Sequence, residues 1–193
     1  MAKKASATEL FLQYEKEIRS GKFAPVYVLF GEETYFIDKV THLLENSVVP
    51  EESKSFNQHI LYGKEINSND LVSICKRYPM MSDFQLIVVK DAQDLKDMDA
   101  LATYFENPLN STVLVLAMRK GKMDMRSKVA KAASKHKVTE FAPLRDYQMR
   151  DWLPVFAESK GKRVDIDAIN ITEDREKFKQ LCQLFESKKL LLF

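Results

Sequence analysis

The sequence predicts an α/β fold: a five-stranded parallel sheet flanked by helices, followed by a small all-helical unit. Three observations predict it. Short runs such as Val26–Phe30 and residues 86–89 are apolar throughout and rich in β-branched or aromatic side chains, as expected of strands buried on both faces. Between these runs lie stretches whose apolar residues recur at helical spacing, so that strands and helices alternate. Past Pro143 and Leu144 the strand pattern ceases and only helical spacing remains, which places a boundary between residues 1–143 and 144–193.

Each element has its own warrant. Residues 8–20 should be helical, because Leu10, Phe11, Tyr14 and Ile18 fall on one side and Gly21 stands where a C-terminal cap belongs. Pro25 leads into the first strand, 26–30, which Gly31 closes. A helix over about 33–46 turns Phe36, Ile37, Val40, Leu43 and Leu44 inward. Residues 59–62 form the second strand, ended by Gly63. A third helix covers 67–77, with Leu71, Ile74 and Cys75 aligned and capping residues at Asn67, Ser68 and Asn69. Pro79 disfavours the α region for Tyr78 and so closes that helix. The paired Met80 and Met81 then precede the strand 86–89, making an apolar knuckle at the mouth of a core strand. A helix around 94–105 carries Leu95, Met98, Leu101 and Phe105 on one side and stops at Asn107 and Pro108. Residues 112–117 form the fourth strand, 125–134 a helix, and 138–141 the fifth strand. In the second unit a helix over 146–160 surrounds Trp152. Pro154 predicts a kink or an early stop within it, and helix resumes from 165 after a break at Gly161.

Composition narrows the class further. A hydrophobic fraction of 45% is that of a chain with a real core. The net charge of +2 does not announce nucleic acid or membrane, so any such surface must be local. Cys75 and Cys182 lie far apart without metal-spaced neighbours, which argues against a disulfide framework and a zinc site and fits a reducing, cytoplasmic setting. No apolar run approaches the ~20 residues of a membrane span.

The first strand runs through Gly31 into a helix, the place a phosphate-binding loop would occupy. There the sequence reads Gly31, Glu32, Glu33, Thr34: the second glycine, the lysine and the hydroxyl residue of that motif are missing. Glu32 and Glu33 put two carboxylates at the helix N-terminus, which favours acids there and repels a triphosphate. Lys90 and Asp91 stand where a magnesium-binding acidic pair would follow the third strand. A degenerate ATP site is therefore expected, with no catalytic residues, no cofactor and no metal. His42, His59 and His136 each lack a partner for a dyad, and His42 and His59 read as structural histidines. Glu51 with Glu52 and Asp97 with Asp99 sit in polar contexts and read as solvated.

Three segments carry a family resemblance. Gly-Lys-Phe-Ala-Pro-Val-Tyr-Val-Leu-Phe-Gly-Glu-Glu-Thr-Tyr-Phe-Ile-Asp (residues 21–38) resembles the opening signature of the delta subunit of the bacterial DNA polymerase III clamp loader. Pro-Met-Met-Ser-Asp-Phe-Gln-Leu-Ile-Val-Val-Lys-Asp-Ala (residues 79–92) resembles that family's second signature. Leu-Arg-Asp-Tyr-Gln-Met-Arg-Asp-Trp-Leu (residues 144–153), with Gly161 and Ala168 beyond, is similar to the start of its second domain. The resemblance implies an AAA+-like, P-loop-NTPase-like fold without a working ATP site. It also implies the task of binding the ring-shaped DNA sliding clamp and favouring its open form during DNA replication. By position, Met80 and Met81, with Tyr78 and Pro79 beside them, would be the clamp contact. The two methionines stand where a leucine and an aromatic are commoner in the family. A bland alternative is that Met80 and Met81 plug the sheet edge. After Ala168 the resemblance lapses: Phe178, Leu181, Cys182 and Phe185 could line a helix before the apolar Leu190 to Phe193 end. The family's helical collar, which joins the loader's subunits, is expected to be missing here, as in a truncated form or a shortened relative. Clamp binding is expected to survive this, and assembly with the other subunits is not.

A second class of function rests on charge. Residues 119–137 carry Arg119, Lys120, Lys122, Arg126, Lys128, Lys131, Lys135 and Lys137 against Asp124 alone, and Lys128, Lys131 and Lys135 are expected on one helical face. Such a patch could follow a DNA or RNA backbone. A solvated outer helix competes with it, favoured by the lack of interleaved aromatics and the balanced total charge.

Overall fold

Ser6 starts the fold with both halves of a capping box: its backbone N–H donates to Glu9 at 2.7 Å and its hydroxyl accepts from the Glu9 N–H at 3.2 Å. The structure, a computed structural model, describes residues 5–120, 123–159 and 180. In chain order the elements are α1 (Ala7–Arg19), β1 (Val26–Phe30), α2 (Thr34–Ser47), a 3₁₀ turn (Glu51–Ser53) running into the short α3 (Lys54–Asn57), and β2 (Gln58–Tyr62). Then follow α4 (Ser68–Cys75), β3 (Gln85–Lys90), 3₁₀ turns at Ala92–Asp94 and Met98–Ala100, α5 (Leu101–Glu106) and β4 (Thr112–Met118). The last described elements are α6 (Lys128–Ala133), β5 (Lys137–Glu140) and α7 (Asp146–Ser159). The chain divides into two compact units, Met1–Pro143 and Leu144–Phe193.

The first unit holds one sheet in the order β2-β3-β4-β1-β5, with every pairing parallel. Val26 pairs with Leu114 and Ile87 with the same residue, so β1, β4 and β3 stay level across the sheet. All positions of β1 and β4 are buried, because helices cover both faces and leave no solvated side for alternation to record. Val28, Ile87, Val89, Leu114 and Leu116 pack with Leu71, Leu101, Phe105 and Val129 from α4, α5 and α6. The aromatic layer around α1 and α2 is closed by ring contacts of Tyr14 with Tyr27 and of Phe36 with Phe11 and Phe141, at centroid separations of 5.7–6.1 Å. In the second unit Trp152 and Phe156 stack one helical turn apart, with centroids at 4.4 Å.

The five parallel strands and flanking helices are those the sequence predicts, and the helices differ at four places. The helix expected over 94–105 begins only at Leu101, because Asp97 takes a left-handed backbone (φ 55°) and Leu95 is extended. Leu101 and Phe105 are buried all the same, which is why their spacing looked helical. The helix expected over 125–134 begins at Lys128, where the Ser127 hydroxyl caps it by accepting from the Ala130 N–H. Residues 51–57, unassigned from sequence, form a 3₁₀ turn and α3. Pro154 does not stop α7, which continues to Ser159. The helix expected from 165, and the residues Gly161, Ala168, Phe178, Leu181, Cys182, Phe185 and Leu190 to Phe193, lie outside the described residues.

Candidate functional site

Between the end of α4 at Cys75 and the start of β3 at Gln85 the chain makes a short excursion that is polar underneath and apolar on top. Underneath, the buried Gln85 amide donates to the carbonyl of Arg77 and, at 2.7 Å, to the Thr112 hydroxyl, and lies 3.4 Å from the carbonyl of Cys75. Thr112 in turn donates to the Cys75 carbonyl at 2.9 Å. Buried amides with satisfied partners hold a loop without needing apolar contacts. Burial pushes the Cys75 thiol up to about 12 and the Tyr104 phenol upward as well, so this layer is uncharged at neutral pH and Cys75 is not a reactive thiolate.

On top, Tyr78 is 76% exposed, Met80 61% and Met81 99%, while Pro79 is half-buried. Lone exposed apolar residues are ordinary, but three within four positions are not. Met81 moreover has a left-handed backbone (φ 54°). Its Cβ makes that conformation unfavourable by about 1–2 kcal/mol, so neighbouring structure must hold it. Beside it Asn57, only 1% exposed at the end of α3, bonds the preceding residue. Its Oδ1 accepts from the Met80 N–H at 2.7 Å, and its Nδ2 donates to the Met80 carbonyl at 2.8 Å and to the Ser53 carbonyl at 3.1 Å.

The turn after β1 closes against the backbone of Phe141. Gly31 has φ 130°, and a Cβ there would lie 2.8 Å from the carbonyl carbon of Phe141 and 2.9 Å from its nitrogen. The Phe141 N–H donates to the Phe30 carbonyl at 2.7 Å, and its own carbonyl accepts from the Glu33 N–H at 3.1 Å. The Thr34 N–H donates to the Glu32 carbonyl at 3.1 Å. Two N–H groups that could face an anion are therefore already committed. Glu33 is buried at this turn and Glu32 is exposed. After β3, Lys90 pairs with Glu45 at 3.1 Å, and Asp91 is left-handed (φ 50°). After β4, Arg119 pairs with Asp38 at 2.9 Å; burial nonetheless raises the Asp38 carboxyl above its usual range, and Arg119 opposes this.

Of the basic stretch, Arg119, Arg126 and Lys137 are each paired, the last two with Asp124 at 3.3 Å and Glu17 at 2.8 Å. Lys128, Lys131 and Lys135 are exposed, but they do not share one helical face: α6 ends at Ala133 and Lys135 lies in the turn beyond. His136 Nε2 lies 2.6 Å from the Phe105 carbonyl, and His42 contacts Glu45 and Asn46. Burial, followed by the charge of Arg77, lowers the His59 imidazole below its usual 6.5. Glu51, Glu52, Asp97 and Asp99 are exposed. Among the described residues no three His, Cys, Asp or Glu side chains are grouped to hold a metal ion, and no helix is long and apolar enough to cross a membrane.

Sequence patterning pointed to Met80 and Met81 but not to Asn57 and Thr112, which lie far from the knuckle in sequence. A polar Gln85 at the head of an apolar strand was the one available signal.

The sequence model of the family described as DNA polymerase III, delta subunit, matches residues 27–141. The chain is 27% identical over 164 residues to DNA polymerase III subunit delta of Bacillus subtilis (strain 168), covering 79% of this chain and 47% of that relative. Among solved structures it is similar to the Bacillus subtilis DNA clamp loader delta protein YqeN, at TM-score 0.76 and 25% identity, over 90% of this chain and 56% of that one. A mutant RuvB of Thermotoga maritima, at TM-score 0.52 and 12% identity over 92% of this chain and 58% of its own, shares the fold alone. The chain thus spans about half the length of its delta-subunit relatives. The match across the whole sheet, from β1 to the residue after β5, shows that this chain belongs to the DNA polymerase III delta subunit family.

Proposed function

We propose that this chain is the clamp-contacting part of a clamp loader, a cytoplasmic component of DNA replication that binds the sliding clamp and favours its open form. The observation that carries this is the exposed Met80–Met81 pair on a loop held from beneath by buried amides. Methionine adapts to irregular pockets, and burying one such side chain contributes about 1.5–3 kcal/mol. The pair supplies a gross few kcal/mol, with Tyr78 and Pro79 at its margin. Ring opening needs more than affinity: the loop must bind the open clamp more tightly than the closed one, since equal affinity shifts nothing. Met81, almost fully exposed at the apex, plugs no sheet edge, which disfavours the bland alternative.

ATP hydrolysis has no part in this proposal. Glu32 and Glu33 stand where phosphates would sit, Phe141 occupies the N–H of Glu33, and Lys90 is paired with Glu45. The chain acts by binding and not by nucleotide chemistry of its own.

The test is binding to the sliding clamp of the same organism, with and without Met80→Ala plus Met81→Ala, at two salt concentrations. Loss of binding on substitution, with little salt dependence, supports the proposal. Undiminished binding places the contact elsewhere. The exposure of Lys128, Lys131 and Lys135 favours a second reading, contact with a DNA backbone. It predicts DNA affinity that falls steeply with salt and is lost when the three lysines become glutamines.

A further inference from the structure

We propose that Asn57 is the positioning residue for the clamp contact, a latch that fixes the shape in which Met80 and Met81 are presented; this rests on the clamp-contact reading above. The side chain has the attributes of a latch. It is buried, yet it takes no part in the apolar core. Its Oδ1 accepts from the Met80 N–H, and its Nδ2 is shared between the Met80 and Ser53 carbonyls. One side chain thus engages both backbone polar groups of Met80 across 23 residues of sequence. The paired geometry fixes the plane of the peptide groups around Met80 and, through them, the direction of the neighbouring side chain.

The next residue shows what the latch resists. Met81 is left-handed and 99% exposed, so its own side chain contributes no packing that would hold it there. Ser53 and Asn57 bracket α3, which joins the long helix α2 to the edge strand β2. Asn57 therefore ties the apex to the sheet edge, while Gln85 ties down its base from the opposite side of the loop. With both ends held, the clamp meets a loop already in its binding shape. Without Asn57 the apex samples other conformations, and apparent affinity falls in proportion to the competent fraction.

The experiment is a double-substitution cycle on the full chain, combining Asn57→Ala with Met81→Ala and measuring association and dissociation with the sliding clamp. Each protein is first checked for a cooperative melting transition. Asn57→Ala is expected to weaken binding about tenfold, chiefly through slower association. The competent fraction multiplies an unchanged intrinsic affinity, so Met81→Ala is expected to cost about the same in the Asn57→Ala background as in the unaltered chain. An association rate unchanged by Asn57→Ala, or costs that do not add, would overturn the latch and leave Asn57 a structural residue only. A second measurement needs no variant: the Met80 amide should exchange with solvent far more slowly than a free amide, although its side chain is exposed. Exchange at the free rate would overturn the latch even if Asn57→Ala fails to fold. Clamp binding untouched by Met80→Ala plus Met81→Ala would instead sink the clamp-contact reading, with the exchange result still testing the latch.

Discussion

Replacing Gly31 with alanine asks why a glycine stands at the end of β1 in a chain without a phosphate-binding motif. Two costs are readable from the structure. The backbone angle of 130° lies where side-chain-bearing residues are strained by about 1–3 kcal/mol. The new Cβ would also fall within 3 Å of the Phe141 backbone, which must withdraw. Withdrawal weakens two hydrogen bonds, from the Phe141 N–H to Phe30 and from the Glu33 N–H to Phe141. Each contributes about 0.5–1.5 kcal/mol net. The expected destabilisation is thus about 2–6 kcal/mol, a large part of the roughly 5–15 kcal/mol that holds a typical domain together. Urea unfolding monitored by circular dichroism should show an earlier midpoint with an unchanged slope, and the melting temperature should fall by roughly 10 °C. A loss under about 0.5 kcal/mol would refute the reasoning, since it would mean that the turn tolerates a side chain and that close approach to Phe141 does not explain the glycine.

Other substitutions separate stability from binding. Gln85→Leu should cost about 1–3 kcal/mol by removing the donor to the Arg77 carbonyl and the buried Thr112 hydroxyl, read as a lower urea midpoint, and should weaken clamp binding as the loop base loosens. Met81→Gly should leave stability unchanged or raise it by up to ~1 kcal/mol, since glycine accepts the left-handed backbone, while clamp affinity falls; equal losses of both would contradict this. Alkaline pH should destabilise the fold. Burial raises Cys75 from its usual 9.0 to about 12 and Tyr14 from 10.0 to about 12, so the folded state holds protons that the unfolded chain releases. Their contribution is complete below about pH 9 and is lost as pH rises through 12, so the urea midpoint should decline across that window. Cys75→Ala should flatten the early part of the decline.

Some of this molecule could be read along the chain. β1 spans the residues that an unbroken apolar run marked out, because a strand covered on both faces has no polar positions to blur its ends. The place of the methionine pair was legible because Pro79 and two adjacent apolar residues stand just before an apolar strand. Its exposure was not: pattern alone also allows the pair to plug the sheet edge, and α4 ends at Cys75, short of Pro79. The stretch from 94 to 105 reads as one helix in sequence because Leu95, Met98, Leu101 and Phe105 recur near helical spacing and pack on the core, while Asp97 breaks the backbone between them. Burial is set by what lies above the segment, and helix formation by each residue's own dihedrals.

By itself the sequence determined the alternation of strands and helices, the missing phosphate motif and the place of the apolar knuckle, all of which depend on neighbours within a few positions. Only the tertiary structure decided how the knuckle is held. The bonds from Asn57 to Met80 span 23 residues and that from Gln85 to Thr112 spans 27. No local pattern encodes such pairs, because a buried amide is satisfied by whichever backbone the fold delivers to it.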